Sequence, residues 1–329
     1  MKNFEYAAPR TEAQVVELLS AAPGRTEILA GGTDLVGLMK KMIVTPELVV
    51  NIMNVDSLKV IDQDEDGSVV IGAAVTLDEV LAHPYLGNYP AITDAILGIS
   101  SMQLQSQGTL GGEVCQRPRC WFFRNGDPLL DQGQVSSGDN RFHAILGNQG
   151  PAKFVNSSRI SPALIALDAQ LRVVGPGEGD EQFLQIEDLF RVPRHAEQRE
   201  LVLEPNQLVT HVILPSLESR HNATYEVRHG VGPDYPLAAA AAALELDDSG
   251  LVQDARVVLG QVAPTPWFSK EAGVALRGRM VNEQTAEMAG VAAVNAATPL
   301  SENEYKVQLA KVAVKRAILR AAGFETGGF

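Results

Sequence analysis

The 329-residue chain is poor in cysteine, with only Cys115 and Cys120. A secreted fold held by several disulfides is therefore excluded, and so is a cluster that takes four cysteine ligands from this chain alone. The six histidines form no H-x-x-x-H pair, and no G-x-S-x-G motif occurs. We therefore expect neither a metal site nor a catalytic acid, base or nucleophile in this chain.

Positive charge is scarce, because 27 Lys and Arg residues stand against 40 Asp and Glu residues, a net charge of −13. Nucleic acids and anionic membranes bind clustered positive charge, so neither is an expected partner. The longest apolar run, at 236–244, is far shorter than the ~20 residues that cross a bilayer. The N-terminal sequence also lacks the apolar core of a signal peptide. The sequence predicts a soluble, cytoplasmic globular protein.

The first 55 residues alternate between helix and strand signals. Thr11 and Gln14 have the spacing of a capping box at the start of a helix. Gly31 and Gly32 separate a short strand from the next helix. The predicted helices are at 12–21 and 35–40, and the predicted strands are at 27–30 and 48–53. This pattern indicates a small α/β unit with glycines at one strand-to-helix corner.

The rest of the chain predicts a mixture of helices and strands. The expected strands are at 58–61, 68–73, 169–174 and 255–259, whereas 225–228 and the alanine-rich stretch at 237–246 are assigned to neither element type. The expected helices are at 76–82, 91–99, 269–277, 283–296 and 305–322. The predicted fold class is α+β, with two α/β subdomains at 1–55 and 56–215, a long loop at 113–154 in the second, and an α+β domain at 216–329.

Two glycine turns are the main candidates for chemistry. Gly31 and Gly32 form one, and Gly108, Gly111 and Gly112 form a similar turn farther along the chain. Glycine lets backbone N–H groups approach an anion closely and adopts positive φ. Two such turns brought together could hold the two phosphates of a dinucleotide. Neither matches the G-x-G-x-x-G fingerprint or the P-loop, so a conventional nicotinamide-binding fold is not expected.

Longer segments of the sequence resemble a known family. They are LAGGTDLV from Leu29, SQGTLGGEVCQRPRCWFFR from Ser106 and SPALIALDA from Ser161. These segments are similar to the FAD-binding (medium) subunit of molybdenum hydroxylases, the family of xanthine dehydrogenase and carbon monoxide dehydrogenase. The QRPRCWFFR run resembles the aldehyde oxidoreductase branch. GQVAPTPW from Gly260 and LSENEYKVQLAK from Leu300 resemble that subunit's C-terminal domain.

The resemblance implies a two-subdomain FAD-binding α/β region followed by an α+β C-terminal domain. Residues 30–35 would surround the FAD pyrophosphate, 108–112 would form a second phosphate-facing turn, and Val209 would pack against the flavin ring. The cofactor-binding residues implied in this way are Leu29, Ala30, Gly31, Gly32, Thr33, Asp34, Leu35, Ile99, Ser100, Gly108, Thr109, Gly111, Gly112, Glu113, Arg159 and Val209.

Two of these positions depart from the family pattern. Glu113 stands where the family usually has asparagine, which puts a possible anion near the phosphates. Arg159 replaces a commonly acidic residue. An acceptor for a sugar or ribityl hydroxyl would thereby become a donor, or the cation would offset phosphate charge. The resemblance alone does not decide the sign of either effect on FAD affinity.

The loop from Cys120 to Phe154 departs further. Some relatives bind a [4Fe–4S] cluster there with four cysteines, whereas only Cys120 remains in this chain. Iron–sulfur clusters need thiolates or a rare histidine substitute, and His143 alone cannot replace three ligands. We predict that this chain holds no [4Fe–4S] cluster and that both cysteines are ordinary buried or half-buried thiols.

Two groups of basic residues have no assigned role. The first could pair with a phosphate or a partner subunit, or belong to a solvated or salt-bridged loop. It consists of Arg117, Arg119 and Arg124. The second is expected on the solvated face of the last helix. It consists of Lys306, Lys311, Lys315 and Arg316.

The resemblance implies an oxidoreductase subunit that passes electrons through FAD to an external acceptor. The implied partners are a small [2Fe–2S] subunit, which supplies the electrons, and a large molybdenum-cofactor subunit, which hydroxylates the substrate. Two alternatives remain open. One is a structural or assembly subunit that keeps the fold without FAD, and the other is a free-standing flavin oxidoreductase.

Overall fold

The computed structural model describes residues 1–177, 179–217, 220–230, 232 and 234–327. Its strands are β1 (Glu5–Ala7), β2 (Thr26–Leu29), β3 (Leu48–Asn51), β4 (Ile61–Gln63), β5 (Val69–Gly72), β6 (Gln170–Val174), β7 (Glu181–Gln185), β8 (Leu208–Leu214), β9 (Arg220–Val227), β10 (Ala238–Leu246), β11 (Val252–Gly260) and β12 (Trp267–Phe268). Its α-helices are α1 (Glu12–Ala21), α2 (Leu35–Lys40), α3 (Leu77–Ala82), α4 (Pro90–Leu97), α5 (Met102–Gln107), α6 (Leu110–Val114), α7 (Trp121–Asn125), α8 (Ser161–Ala166), α9 (Lys270–Leu276), α10 (Glu283–Ala293) and α11 (Tyr305–Ala321).

The first sheet is parallel, with the strand order β1-β3-β2, and α1 packs against it. Thr11 caps α1, because its hydroxyl accepts the N–H of Gln14 at 3.3 Å. The other half of the expected capping box is wrong: the Gln14 side chain accepts the N–H of Arg10, at 2.9 Å, and not that of Thr11. β2 ends and α2 begins on either side of the first glycine turn, as predicted.

The second sheet is antiparallel, with the order β4-β5-β8-β6-β7. The expected strand at 58–61 is wrong, because Asp56–Lys59 form a 3₁₀ turn and β4 starts two residues later. Leu58 is fully buried, and its carbonyl accepts the N–H of Ala74 at 2.9 Å. A Cβ on Gly72 would lie 2.2 Å from that same carbonyl oxygen. Residues 56–59 therefore pass close to β5 before the chain enters the sheet as its edge strand, β4.

The third sheet is antiparallel, with the order β12-β11-β10-β9. Alternate residues of β10 enter two different cores. Ala241 and Ala243 belong to the core that contains α4 and α8, whereas Ala238, Ala240 and Ala242 belong to the core that contains α11. Both faces of this strand are thus covered by helices. Alanine favours helix by intrinsic propensity, but its small side chain here allows helices to approach the sheet from both sides.

The segment at 113–154 is docked onto the C-terminal region. Ala144, Ile145 and Leu146 are fully buried. The N–H groups of Ile145 and Leu146 both donate to the carbonyl of Val262, at 2.8 and 3.0 Å. This segment therefore joins the second sheet region to the third rather than forming a free loop.

The expectation that Lys306 lies on the solvated face of the last helix is wrong. Lys306 is only 1% exposed. Its Nζ donates to the carbonyl oxygens of Phe142, His143 and Gln261, at 3.1, 3.1 and 2.7 Å. Three carbonyl acceptors match the three N–H donors of an ammonium group. The docked 113–154 segment covers the first turn of α11, which an amphipathic pattern within the helix does not reveal.

The α+β fold class is confirmed, since the described residues combine helices with strands that form three separate sheets. Within the described ranges, none of the helices combines the length and the apolar character needed to cross a bilayer.

Candidate functional site

The two glycine turns lie in direct backbone contact. A Cβ on Gly31 would lie 1.4 Å from the carbonyl oxygen of Gln107, directly before the second turn. Gly32 has a φ of +73°. A Cβ on Gly111 would lie 2.7 Å from the Cβ of Ala73. Glycine is needed here because the two backbones approach too closely for side chains. The structure thus brings together the two turns that the sequence singled out.

A cavity of about 350 Å³ opens beside this junction. One wall consists of the two glycine turns. The segment at 199–209 also lines the cavity and contributes the apolar side chains of Leu201, Leu203, Leu208 and Val209. The large cavity therefore combines the backbone groups of the turns with apolar side chains.

A second cavity, of about 50 Å³, adjoins the first. Four residues line both cavities: Thr33, Asp34, Gly112 and Gln116. The remaining walls of the small cavity are formed by Leu77, Ile99, Leu104, Gly108, Glu113, Arg119, Arg159 and Tyr235. The glycine turns therefore stand at the junction of a large cavity and a small one.

All but two of the predicted cofactor-binding residues line one of these cavities. Those of the large cavity are Ala30, Gly31, Gly32, Thr33, Asp34, Leu35, Thr109, Gly111, Gly112 and Val209. Those of the small cavity include Ile99, Gly108, Glu113 and Arg159. Leu29 and Ser100 line neither. The Leu29 carbonyl accepts the N–H of Ile52 at 3.0 Å, and Ser100 is exposed just after α4.

The carboxylate of Asp34 is held by three arginines. Its Oδ2 accepts the backbone N–H of Arg117 at 2.8 Å. Its Oδ1 lies 2.7 Å from Nη1 of Arg124 and 3.4 Å from Nη2 of Arg119. The Arg117 side chain forms a separate ion pair with the buried Glu200. The arginines thus belong to a salt-bridged loop, and Asp34 fixes the first glycine turn to it.

Glu113 lies at the base of the second glycine turn and is half-buried. Its Oε1 accepts the backbone N–H of Arg159 at 2.7 Å, and its Oε2 accepts an N–H of the Gln116 side chain at 2.6 Å. Burial raises the pKa of Glu113 to about 7, against smaller opposing effects of Arg159 and Arg119. The side chain can therefore be neutral near physiological pH.

The guanidinium of Arg159 is engaged by protein groups. Arg159 is 3% exposed. It donates to the carbonyl oxygens of Gly98 and Asp234. Its Nε lies 3.8 Å from Oε1 of Glu226, which is also buried. Arg159 thus joins the end of α4 to the C-terminal region, and its donors are directed to these groups in the structure.

Gln116 and Tyr235 also line the small cavity, although the sequence did not indicate them. The Tyr235 hydroxyl donates to Oε1 of Gln116 at 2.9 Å, across 119 positions of the chain. The Tyr235 ring lies against the guanidinium groups of both Arg119 and Arg159, at 5.1 and 5.2 Å. No local pattern marks Tyr235, because it reaches the site only through the packing of the C-terminal region.

Both cysteines are free and half-buried, as expected. Cys120 Sγ lies 3.1 Å from Nε2 of His143. Burial lowers the pKa of His143 to about 4, so the ring is neutral, and burial raises the pKa of Cys115 to about 12. Across the described part of the chain, no three His, Cys, Asp or Glu side chains are grouped as metal ligands. That this chain holds no [4Fe–4S] cluster stays a prediction.

Family models and known proteins match nearly the whole chain. The model for the FAD binding domain in molybdopterin dehydrogenase matches residues 2–217, and that for the CO dehydrogenase flavoprotein C-terminal domain matches residues 223–321. The aldehyde oxidoreductase FAD-binding subunit PaoB of Escherichia coli is 29% identical, over 94% of this chain and 96% of that one. The carbon monoxide dehydrogenase medium chain of Afipia carboxidovorans is 28% identical, over 97% and 96%.

Solved structures share the fold. Reconstituted CO dehydrogenase from Oligotropha carboxidovorans has a chain with a TM-score of 0.77 and 25% identity, with 98% of both chains covered. Quinoline 2-oxidoreductase from Pseudomonas putida 86 has one with a TM-score of 0.74 and 22% identity, also with 98% of both chains covered. Because the family model matches most of the chain, the resemblance seen in the sequence is confirmed, and the chain belongs to the family of FAD-binding domains in molybdopterin dehydrogenases.

Proposed function

We propose that this chain is the FAD-binding electron-transfer subunit of a heteromeric molybdenum hydroxylase. The observation that carries the proposal is the backbone contact between two glycine turns at the junction of two cavities. A dinucleotide has two phosphates at its centre and a ring system at each end. A paired phosphate site with one cavity on each side matches that layout.

The cavity sizes suggest how the ends are assigned. The large cavity has apolar side chains from the segment at 199–209, including Leu201 and Val209. It suits the flavin, which is the larger and flatter ring system. The small cavity, with Ile99 and Tyr235 in its walls, suits the adenosine end. The backbone of Gly31, Gly32, Gly111 and Gly112 would hold the phosphates between them.

FAD supplies the chemistry, because its ring accepts electrons and releases them to an acceptor. The chain supplies binding, orientation and an apolar surface against the ring.

Two partners follow from the proposal. One is a small [2Fe–2S] subunit that delivers electrons, and the other is a large molybdenum-cofactor subunit that oxidises the substrate. Relatives named as medium chains or FAD-binding subunits, such as the carbon monoxide dehydrogenase medium chain of Hydrogenophaga pseudoflava, support an assembly of this kind. A purified chain loaded with FAD should be reduced by a reduced [2Fe–2S] partner. Direct reduction by a small substrate would favour the free-standing oxidoreductase instead.

A glycine substitution tests the site. Gly112→Val adds a branched side chain at a position that lines both cavities. We expect the FAD dissociation constant, measured by quenching of flavin fluorescence, to rise about tenfold or more, since a steric clash of about 1–3 kcal/mol has that effect. Gly87→Val is the matched control, because a Cβ at Gly87 meets nothing within 4 Å.

Each outcome separates the candidate functions. The control should bind FAD as tightly as the unchanged chain. Equal affinity in both variants would place the phosphate site elsewhere. A colourless protein that binds no added FAD would contradict the proposal and favour the structural subunit.

A further inference from the structure

Glu113 places an acidic side chain next to the proposed phosphate site. It lines the small cavity together with Gly108 and Gly112 of the second glycine turn. The two hydrogen bonds that its carboxylate oxygens accept come from neutral groups, the backbone N–H of Arg159 and the side-chain amide of Gln116. A carboxylate at this place would face the ligand without a cation of its own.

The cations that act on Glu113 are committed to other anions. Arg119 lies 3.4 Å from Asp34, and Arg159 lies 3.8 Å from Glu226. These distances join the guanidinium nitrogens to the carboxylate oxygens of their partners. Asp34 also pairs with Arg124, and Glu226 also pairs with Arg228, whose Nε lies 3.7 Å from Oε2 of Glu226. Arg119 and Arg159 therefore still act on Glu113, but they lower its pKa by less than burial raises it.

The remaining charged and titratable groups around Glu113 come from the C-terminal region. Glu226, on β9, adds negative charge and raises the pKa of Glu113. Tyr235 is a neutral phenol, because burial raises its pKa to about 12. Together with burial, which is the largest effect, this environment outweighs the two arginines and brings the pKa of Glu113 to about 7.

A bound dinucleotide diphosphate would add two negative charges at the second glycine turn, where Gly112 lines both cavities directly before Glu113. Like charges at close range disfavour ionisation of a carboxyl group. We propose that Glu113 carries a proton whenever FAD is bound, so that this site takes up the cofactor together with one proton. This inference rests on the proposed function, and it adds that the site binds FAD only with Glu113 protonated.

The protonated side chain of Glu113 also provides an O–H hydrogen-bond donor. Its hydrogen-bond neighbour Gln116 already accepts through Oε1 from the Tyr235 hydroxyl at 2.9 Å and from Nε of Arg119 at 3.3 Å. The new donor is therefore left for the cavity, where phosphate oxygens are strong acceptors. A neutral Glu113 would thus attract the group that its anion would repel.

Titration with FAD over a range of pH tests the inference. The full chain, freed of flavin, is titrated with FAD at pH 6, 7, 8 and 9 by fluorescence quenching. Calorimetry at pH 8 in two buffers of different ionisation enthalpy counts the protons taken up. We expect the dissociation constant of the unchanged chain to rise above pH 7, by up to about tenfold per pH unit, and about one proton to be taken up at pH 8.

Two variants test whether Glu113 is the group that takes up the proton. Glu113→Gln keeps the shape and a permanent donor, so its FAD affinity should be flat from pH 6 to 9 and its proton uptake close to zero. Glu65→Gln, at an exposed glutamate in the turn after β4, should behave as the unchanged chain does.

The outcomes separate this inference from the proposed function. Tight FAD binding with no pH dependence and no proton uptake would overturn the inference alone. The same pH dependence in Glu113→Gln would also overturn it. Failure of the unchanged chain to bind FAD at any pH would overturn the proposed function instead. The calorimetric count needs no variant, so a count near zero overturns the inference even if Glu113→Gln folds poorly.

Discussion

Replacement of Lys306 by methionine should destabilise the junction between the 113–154 segment and the C-terminal region. The ammonium group donates to three buried carbonyl oxygens, those of Phe142, His143 and Gln261. Methionine has a similar length and fills the space, but it donates nothing. The substitution therefore isolates the hydrogen bonds from the packing.

The magnitude follows from the acceptors that are left behind. The carbonyl of His143 keeps a donor, because Nδ2 of Asn303 lies 3.1 Å from it. The carbonyls of Phe142 and Gln261 lose the lysine donor. Each buried carbonyl left without a partner costs about 1–3 kcal/mol, and relief from burying the charge offsets part of this. We expect the free energy of unfolding to fall by about 2–3 kcal/mol at pH 7.

The effect should grow with pH. Burial lowers the pKa of Lys306 to about 7 in the folded protein, whereas an unfolded lysine titrates near ~10.4. Between these values the unfolded state binds more protons, so the stability of the unchanged chain rises with pH. Methionine does not titrate. The difference in stability between the two proteins should therefore widen above pH 7, by at most about 1.4 kcal/mol per pH unit.

Urea unfolding at pH 7 and 8.5 and amide hydrogen exchange measure the two parts of the effect. Exchange at the N–H groups of Ile145 and Leu146, which bond to Val262, should become faster in Lys306→Met. Lys311→Met, in the same helix, is the matched control and should change neither quantity by more than about 0.5 kcal/mol. Equal stability of the two variants, with unchanged exchange at Ile145, would refute the reasoning.

Two further predictions concern a buried charge and the missing cluster. Glu200→Gln should lower the free energy of unfolding by about 2 kcal/mol, because it leaves the largely buried Arg117 without its counter-charge. Urea unfolding measures this loss, and it should be smaller when Arg117→Met is made in the same chain. Iron analysis of the purified chain should find well under one iron atom per chain, whereas about four would contradict the predicted loss of the [4Fe–4S] cluster.

Local signals in the sequence predicted the parts of the molecule that depend on local chemistry. Thr11 marks the start of α1 because the cap and its partner are close in sequence. The glycines at 31 and 111 stand out because backbone approach excludes other residues. The alanine-rich stretch that forms β10 was assigned neither to a helix nor to a strand from the sequence, because pairing with β9 and β11 decides its conformation.

The site was predicted less completely than the fold. The glycine turns were found, but Gln116 and Tyr235 were not, because their pairing joins residues that are 119 positions apart in the chain. Lys306 was misplaced for a related reason: the segment that covers it comes from residues 142 and 143. Burial created by distant segments leaves no periodic trace in the helix that it covers.

The two-sided burial of β10 affects how chimeras of this family can be built. The side chains of Ala241, Ala243 and Val258 share a core with α4 and α8, and a Cβ on Gly260 would lie 2.9 Å from Cγ of Pro162. A graft joined near residue 216 would set a foreign sheet against these native helices, where a single added methyl group has no space. A C-terminal region taken from a relative should therefore be transferred together with α4 and α8, so that the sheet and the helices packed against it come from one parent.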